Sequence, residues 1–360
     1  MRYDQSPFAG KRILITGNTG FKGSWLSIWL HLLGASVVGY ALTDMESHEL
    51  QALPHLTQIA GDVRDIDTLN RVFQECRPEV VFHLAAQPVV TDSYLRPRYT
   101  YEVNVLGTMN VLECIRQTPQ THLGIMVTSD KCYDNKEWIW GYRELDALGG
   151  HDPYSSSKGC CEILIASYRD SFFEAHKYHQ HGKAIASVRA GNVIGGGDWS
   201  KDRIIPDAIR SLQATQDIIV RHPTAIRPWQ HVLEPLYGYL LLTTKLMQDP
   251  IKYAGAWNFG PEDPIPISVE QVVETLIQLW GNGQWHLASS DQSTVHEASW
   301  LRLDITKAKW ELGWAPQWDI NTALQKTVEW YQAYDQTNKV ALCVKQIQDY
   351  VPPSGNPLSY

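Results

Sequence analysis

Residues 12–26 read RILITGNTGFKGSWL. A short apolar run leads into a loop with Gly17, Gly20 and Gly23, and a pattern of helical apolar spacing follows at once. Glycines between a strand and a helix let backbone N–H groups and the helix dipole hold a pyrophosphate. The spacing G-x-x-G-x-x-G is a weak signal alone, but in this strand–turn–helix context it predicts a dinucleotide-binding loop.

This loop opens a regular alternation of short apolar runs and helical patterns that extends from residue 11 to about residue 194. The runs include SVVGYAL, QIAGD, VVFHLAA and GIMVTSD. Such alternation is typical of βαβ units that build a parallel sheet buried on both faces. We therefore predict an α/β fold with a doubly wound parallel sheet of the Rossmann type.

This alternation of short apolar runs and helical patterns stops after residue 194, where the chain becomes rich in Gly, Pro and charged residues (GGGDWSKDRIIPD and RHPTAIRPWQH). We predict a dinucleotide-binding domain over residues 1–194, with its core from about residue 11. Residues 195–345 are predicted to form mainly a smaller, interleaved substrate lobe, with some segments returning to the first domain. The Pro-rich end, residues 346–360, is predicted to be a surface tail.

Composition argues against several classes of partner. The 360 residues carry a formal net charge of −8, which attracts neither nucleic acid nor an anionic membrane. There is no apolar signal core and no apolar run long enough to span a bilayer. The six cysteines form no C-x-x-C pair, which favours reduced thiols and a cytoplasmic location.

Three histidines in HKYHQH, namely His176, His179 and His181, lack a carboxylate or thiol at metal-ligand spacing. We interpret them as a solvated face or as partners of a helix C-terminus, and we predict no metal site.

The choice of dinucleotide depends on the residues that follow the second and third strands. No acid that could hold the adenosine ribose occurs before Asp44, and no Arg follows the second strand to meet a 2′-phosphate, which favours NAD over NADP. Asp62, at the end of IAGD, falls where a third strand would present a carboxylate to the adenine. The same aspartate is also a candidate cap for the next helix, and the two roles are compatible.

Residues 151–162, HDPYSSSKGCCE, carry Tyr154 and Lys158 on one face of a helix that Asp152 and Pro153 begin. After a glycine loop and βαβ series, this pair predicts a general base and its helper. A nearby ammonium and the nicotinamide cation would favour the phenolate; a drop of about 3 units in the phenol pKa corresponds to roughly 4 kcal/mol. We expect Tyr154 to take an alcohol proton while hydride leaves for the nicotinamide.

Several strings resemble those of the extended short-chain dehydrogenase/reductase family: TGNTGFKG, HLAAQ, NVLGT and YSSSK. Others resemble its nucleotide-sugar 4,6-dehydratase branch, and within it the enzymes that act on CDP-glucose: TSDKCYDN, WGYRE, DPYSSSKG, RAGNVIGGGDW, RIIPD, RPWQHVLEP and WNFGP. The matched strings extend from residue 11 to about residue 315, and the substrate-lobe strings make the resemblance specific.

The resemblance implies a lyase with tightly held NAD that converts CDP-glucose to CDP-4-keto-6-deoxyglucose and water, for deoxysugar and polysaccharide biosynthesis. Hydride leaves C4, water is lost across C5 and C6, and the same hydride returns to C6. Because the C4 ketone acidifies the C5 proton, oxidation has to precede elimination. The resemblance also implies a homo-oligomer, a dimer through helices near residues 100–117 and 154–170 or a tetramer built from it.

Site residues follow from the same resemblance. Ser129 would bond the C4 oxygen, Asp130 would protonate the departing C6 hydroxyl, and Asn104 would hold a structural or proton-relay position. The cofactor residues are Gly17, Thr19, Gly20, Phe21, Lys22, Gly23, Asp62, Val63, Leu84, Ala85, Ala86, Gln87, Tyr154 and Lys158. The substrate residues are Ser129, Asn192, Arg203, Arg227, His296 and Glu297.

Lys131 departs from the family pattern, in which a glutamate at this position is the base at C5. A lysine can take the C5 proton only when neutral, which requires its reference pKa of about 10.4 to fall by some 3 units. Alternatively, a charged Lys131 would stabilise the developing enolate and leave proton removal to another group. Our hypothesis favours the base role.

Three other functions are compatible with parts of the pattern. A 4-epimerase needs the Tyr–Lys pair but no acid for elimination at C6, so Asp130 argues against it. A dehydratase for another nucleotide sugar differs only in the base it recognises. A non-catalytic NAD-binding regulator would not need Ser129, Tyr154 and Lys158 together.

Overall fold

The structure is a computed structural model that describes residues 6–42, 50, 53–262, 267–288, 300–334 and 336–350. Its strands are β1 (Arg12–Thr16), β2 (Ser36–Ala41), β3 (Leu56–Ala60), β4 (Val80–His83), β5 (Leu123–Val127), β6 (Ala184–Ala190), β7 (Val193–Ile194), β8 (Ile218–Val220), β9 (Gln230–His231), β10 (Gly255–Phe259) and β11 (Trp285–Leu287). The main sheet has seven parallel strands in the order β10-β6-β5-β4-β1-β2-β3. The predicted doubly wound fold is confirmed.

The α-helices are α1 (Phe21–Leu32), α2 (Ile66–Cys76), α3 (Val90–Leu95), α4 (Pro97–Tyr101), α5 (Gly107–Gln117), α6 (Pro153–Phe172), α7 (Tyr178–His181), α8 (Ile204–Gln213), α9 (Leu233–Gln248), α10 (Pro250–Tyr253), α11 (Val269–Trp280), α12 (Ile320–Ala333) and α13 (Lys339–Tyr350). Single 3₁₀ turns occupy Asp130–Cys132 and Ala175–Lys177, and π-type turns occupy Glu102–Leu106 and Ala308–Leu312. None of these described helices combines the length and apolarity that a bilayer crossing requires.

Both faces of the main sheet are buried, because successive side chains of a strand point to opposite faces. In β1, Ile13 and Ile15 belong to a core that contains α1 and α9. Leu14, between them, belongs to a second core that contains α2, α5 and α6. Because the sheet is packed between these two cores, the carboxyl ends of β1, β4, β5 and β6 are held along one edge, where doubly wound folds bind their ligands.

Segments of the C-terminal half are built into this sheet. Strand β10 pairs with β6, with Gly255 opposite Ala186, and the short pairs β7–β9 and β8–β11 form the smaller lobe beside it. The division at residue 194 stays a prediction.

The predicted tail over residues 346–360 is wrong at its start. Helix α13 continues to Tyr350, whose ring is 1 % exposed and packs against Trp29 and Trp318. Local composition suggested a tail, but contacts with distant aromatic residues hold the helix in place. Residues 351–360 lie outside the described ranges.

Candidate active site

A cleft of about 480 Å³ lies at the carboxyl ends of the central strands, between the sheet and the smaller lobe. Predicted site residues from distant parts of the chain meet there. Those that line the cleft are Phe21, Lys22, Leu84, Ala86, Ser129, Asp130, Lys131, Tyr154, Lys158, Asn192, Arg203 and Arg227.

The glycine loop has the shape that a dinucleotide requires. Gly17 has a φ of 71°, and a Cβ there would lie 2.7 Å from the backbone nitrogen of Ala85. A Cβ on Gly23 would lie 2.1 Å from the carbonyl oxygen of Gly17. Gly20 precedes the first residue of α1, whose first-turn N–H groups have no intrahelical partner and can bind a pyrophosphate.

A buried polar network fixes this loop against the neighbouring strand. Thr16 Oγ1 lies 2.7 Å from His83 Nδ1, and His83 Nε2 lies 3.0 Å from Thr108 Oγ1. Burial lowers the pKa of His83 to about 3, so the ring is neutral near pH 7. The backbone N–H of Ala85 donates to Thr16 Oγ1 at 3.3 Å, which connects the glycine loop to residues 84–87.

Asn104 has a bridging position. Its Oδ1 accepts from the backbone N–H of Gln87 at 2.8 Å, and its Nδ2 lies 2.8 Å from Ser157 Oγ and 3.2 Å from the carbonyl oxygen of Gln87. The amide therefore ties residues 84–87 to helix α6. Of the two positions expected for Asn104, these contacts favour the structural one.

Asp62 follows β3 but does not cap a helix. The cap of α2 is Asp65, whose carboxylate accepts from the backbone N–H groups of Asp67 and Thr68, both at 3.1 Å. Asp62 instead bonds Arg64 Nη2 at 2.6 Å. Burial raises the pKa of Asp62, but hydrogen bonds from Arg64 outweigh this effect and leave the pKa below its ordinary value. The capping alternative for Asp62 is wrong, and its role near the adenine stays a prediction.

Helix α6 presents Tyr154 and Lys158 to the cleft. Asp152 caps the helix by accepting from the backbone N–H of Ser155 at 2.8 Å, and Pro153 is its first residue, as predicted. Lys158 Nζ lies 3.4 Å from the carbonyl oxygen of Val127, and burial lowers its pKa.

The expected lowering of the Tyr154 pKa is not produced by the protein alone. Burial raises that pKa to about 12, while a hydrogen bond with Ser129 and the charge of Arg203 act in the opposite direction. Desolvation of the phenolate outweighs these favourable groups. A positive charge brought to the site would lower that pKa again.

Ser129 and Asp130 follow β5 at the base of the cleft. Ser129 Oγ accepts from the backbone N–H of Lys131 at 3.2 Å and donates to Asp130 Oδ1 at 3.0 Å. Asp130 is 2 % exposed, and its Oδ2 has no hydrogen-bond partner among the residues that the structure describes. Burial raises the pKa of Asp130, with the charge of Lys131 opposing the shift. A buried carboxyl group with a raised pKa holds its proton more tightly than an exposed one, and it can therefore serve as a proton donor.

Gly191 makes room for that carboxyl group. A Cβ on Gly191 would lie 1.8 Å from Asp130 Oδ2, so a side chain there would displace the acid. Strand β6 ends at Ala190, just before Gly191, and β7 begins at Val193; Asn192 between them has a φ of 41°. The interruption turns Asn192 toward the cleft.

The smaller lobe supplies most of the remaining positive charge. Arg203 Nη1 lies 3.0 Å from Asp198 Oδ2, and Asp198 is 4 % exposed, so a buried carboxylate orients this guanidinium. Lys22 lies across the cleft and keeps part of its surface exposed. Desolvation by the surrounding residues, together with the charge of Arg203, lowers its pKa to about 8. Arginines at such a position can hold a diphosphate in pairs of hydrogen bonds.

Asp198 and Arg221 also line the cleft, although the sequence did not identify them. Arg221 Nη1 lies 3.8 Å from Asp202 Oδ1 at the rim. Asp198 lies in the matched string RAGNVIGGGDW, and Arg221 is the first residue of the stretch RHPTAIRPWQH, so both lie in stretches that the sequence analysis had singled out.

Other predicted residues lie elsewhere. His296 and Glu297 lie outside the described residues. Nowhere in the described ranges do three His, Cys, Asp or Glu side chains group as metal ligands would. His231 packs edge-on against Trp25 at 5.9 Å, and Glu234 is fully buried.

The chain is similar in sequence to known nucleotide-sugar dehydratases. The model of the GDP-mannose 4,6-dehydratase family matches residues 14–327. A CDP-glucose 4,6-dehydratase of Salmonella typhimurium is 47 % identical over 354 residues, which cover 97 % of this chain and 98 % of that protein. A dTDP-glucose 4,6-dehydratase of Shigella flexneri is 23 % identical and covers 89 % of this chain and 93 % of its own length.

Two solved structures share the fold. A dTDP-glucose 4,6-dehydratase of Bacillus anthracis, in complex with NAD, superposes with a TM-score of 0.75 at 20 % identity and covers 91 % of this chain and 98 % of its own. A UDP-glucose 4-epimerase of Thermus thermophilus, also with NAD, has a TM-score of 0.77 at 22 % identity, with coverages of 89 % and 99 %.

Proposed function

The chain belongs to the GDP-mannose 4,6-dehydratase family, and from this premise we propose that it is an NAD-dependent lyase that converts CDP-glucose to CDP-4-keto-6-deoxyglucose and water. The observation that carries the proposal is the buried acid Asp130, with an unpartnered oxygen, beside Ser129 and Tyr154 in one cleft. An oxidation at C4 alone needs no such acid, whereas loss of water from C6 does. The 47 % identical Salmonella protein, named for CDP-glucose, supports this substrate.

The glycine loop and residues 84–87 would hold NAD, since their backbones approach closely and leave the first turn of α1 open. The bound cofactor would supply reversible hydride transfer, from C4 of the glucosyl ring and back to C6. Tyr154 would take the C4 hydroxyl proton while Ser129 bonds the C4 oxygen. Because burial raises the pKa of Tyr154 to about 12, Lys158 and the positive ring of the cofactor would have to favour the phenolate.

Elimination would then use the pair at the end of β5. Asp130 would donate its proton to the departing C6 hydroxyl, since burial holds its pKa above the ordinary value. Lys131 lines the cleft beside it, where it would either take the C5 proton or stabilise the enolate. Arg203, Arg227 and Asn192 would hold the nucleotide diphosphate from the other side.

A homodimer fits the outer surface of the helical layer. Leu106 and Ile163 are exposed on neighbouring elements, the π-type turn before α5 and helix α6, and Phe172 is exposed near the end of α6. Exposed large apolar side chains on neighbouring elements suit a two-fold interface between copies. A cytoplasmic location fits the substrate, because nucleotide sugars of this kind are made where nucleotides are available.

The test is to incubate the purified protein with NAD and, separately, with CDP-, dTDP-, GDP- and UDP-glucose, and to analyse the sugars by NMR. We expect a 4-keto-6-deoxy product from CDP-glucose. Turnover of another nucleotide sugar alone would contradict the substrate, a C4-inverted product would indicate a 4-epimerase, and NAD binding without any turnover would indicate a regulator.

A further inference from the structure

A buried ion pair lies directly beneath the catalytic residues. Glu162 and Arg189 are each 2 % exposed, and Arg189 Nη2 lies 2.7 Å from Glu162 Oε2. Ser187 Oγ donates to the same oxygen at 2.8 Å, and Thr128 Oγ1 donates to Glu162 Oε1. Burial raises the pKa of Glu162, but Arg189 outweighs this effect and keeps it below the ordinary value, so the pair is charged.

Arg189 extends the network to the loop behind the cleft. Its Nη1 donates to the hydroxyl of Tyr133 at 2.7 Å and to the carbonyl oxygen of Glu144 at 3.1 Å, and its guanidinium stands 4.9 Å from the Tyr133 ring. The Tyr133 hydroxyl in turn donates to Asn258 Oδ1 at 2.8 Å. The network therefore joins helix α6 and strands β5, β6 and β10.

Four members of the network, Thr128, Tyr133, Glu162 and Arg189, are close in sequence to residues of the proposed site. Thr128 immediately precedes Ser129 and Asp130, and Tyr133 follows the 3₁₀ turn of Asp130 and Lys131. Glu162 lies one helical turn after Lys158 on α6.

Arg189 lies two residues before Gly191, which leaves the space for the Asp130 carboxyl group. Stability alone is a weak reason for such a pair, since well-packed apolar residues are often as stable as a buried ion pair.

We propose that Glu162 and Arg189 are positioning residues that hold the end of strand β5 against helix α6, so that Ser129, Asp130 and Lys158 keep the spacing that turnover needs. This inference rests on the proposed function. Neither residue lines the cleft. Their effect acts through Thr128 and Tyr133, and a shift of about 1 Å at a catalytic group can reduce turnover about 100-fold.

The test compares two buried carboxylates with similar hydrogen bonding. Glu162→Gln removes the charge beneath the cleft. Glu234→Gln is the matched control, because Glu234 is fully buried and accepts from the backbone N–H groups of Gln317 and Trp318 and from the Tyr350 hydroxyl. We expect Glu162→Gln to lower kcat about 10- to 100-fold with little change in KM for CDP-glucose. Glu234→Gln should leave kcat within about twofold of the parent protein, since distant sites act independently.

A second pair of variants separates positioning from failed folding. Thr128→Ser keeps a hydroxyl that can donate to Glu162, whereas Thr128→Val keeps the shape without the donor. The serine variant should retain most of the turnover, and the valine variant should lose about tenfold or more at unchanged far-UV circular dichroism. Equal turnover in the two variants, or a normal kcat for Glu162→Gln, would overturn the proposal.

Hydrogen–deuterium exchange on Glu162→Gln and Glu234→Gln gives a readout that needs no turnover. Faster exchange over residues 128–134 is expected in the first variant and over residues 339–350 in the second. An inactive parent protein would contradict the proposed function, while unchanged exchange over residues 128–134 in Glu162→Gln would contradict the positioning role. The two failures are therefore distinguishable.

Discussion

At the scale of single residues, the environment of Asp130 distinguishes an enzyme that eliminates water from one that only oxidises its substrate. A carboxyl group that is 2 % exposed, with one oxygen unpartnered among the described residues, gains little from staying ionised. Gly191 permits this arrangement by having no side chain. The sequence identified Asp130 through the string TSDKCYDN, but the space for its carboxyl group depends on Gly191, 61 positions later, which no local pattern reveals.

Lys131 gives the prediction at this scale. If its amine takes the C5 proton, Lys131→Met should reduce deuterium uptake at C5 of CDP-glucose in D₂O about 100-fold or more, because the variant has no group to accept the proton. NMR of the recovered sugar measures the uptake. Lys136→Met is the matched control, since Lys136 is an exposed lysine of the same loop, paired with Asp134 at 2.7 Å.

Unimpaired deuterium uptake in Lys131→Met would contradict the base role, because a variant without the base could not exchange the C5 proton. Loss of uptake in the Lys136→Met control as well would point to a disturbed loop rather than to a missing base.

At the scale of elements, the sequence predicted most of the sheet but not the contacts that fix its ends. Strands β1 to β6 and helix α6 with its Asp152 cap follow from periodicity and local signals, and these are short-range properties. Helix α13 was missed because Tyr350 is held by Glu234, which is 116 residues away. Burial, a property of the whole packed site that no local pattern shows, raises the pKa of Tyr154, and the lowering expected from Lys158 together with the nicotinamide ring stays a prediction.

The docking of α13 gives a prediction about pH. Burial raises the pKa of Glu234 from 4.5 to about 7, so the folded state binds a proton more tightly than the unfolded chain does. The resulting stabilisation is complete below about pH 4.5 and is lost as the pH rises through about 7; it amounts to at most about 3 kcal/mol. Urea unfolding at about pH 5 and pH 8 should therefore show a larger loss of stability for the parent protein than for Glu234→Gln.

The comparison of the two proteins cancels the contributions of other titrating groups. An equal loss between the two pH values would contradict the prediction, because it would place the responsible groups elsewhere. The expected loss concerns α13 and the backbone at residues 317–318, so turnover of the variant at pH 7 should follow that of the parent protein.

At the scale of the whole molecule, the cleft needs both halves of the chain. Asp130, Tyr154 and Lys158 come from the sheet and α6, whereas Arg203 and Arg227 come from the smaller lobe. Because β10 and α9 build the C-terminal half into the sheet, the position of the lobe is tied to the same core that positions the catalytic residues. The sequence could predict the two groups of residues separately, but only packing determines that they face one another.

The remaining question at this scale is the association of copies, and Ile163 offers a direct test. Ile163 is 59 % exposed on α6, and a charge placed in a buried two-fold interface has no partner to offset its desolvation. Ile163→Asp should therefore convert a dimer into a monomer in sedimentation velocity. Ile251→Asp is the matched control, since Ile251 is 53 % exposed on α10, an element outside the proposed interface. A dimer that persists in Ile163→Asp, or one that dissociates equally in both variants, would move the interface away from the outer face of α6.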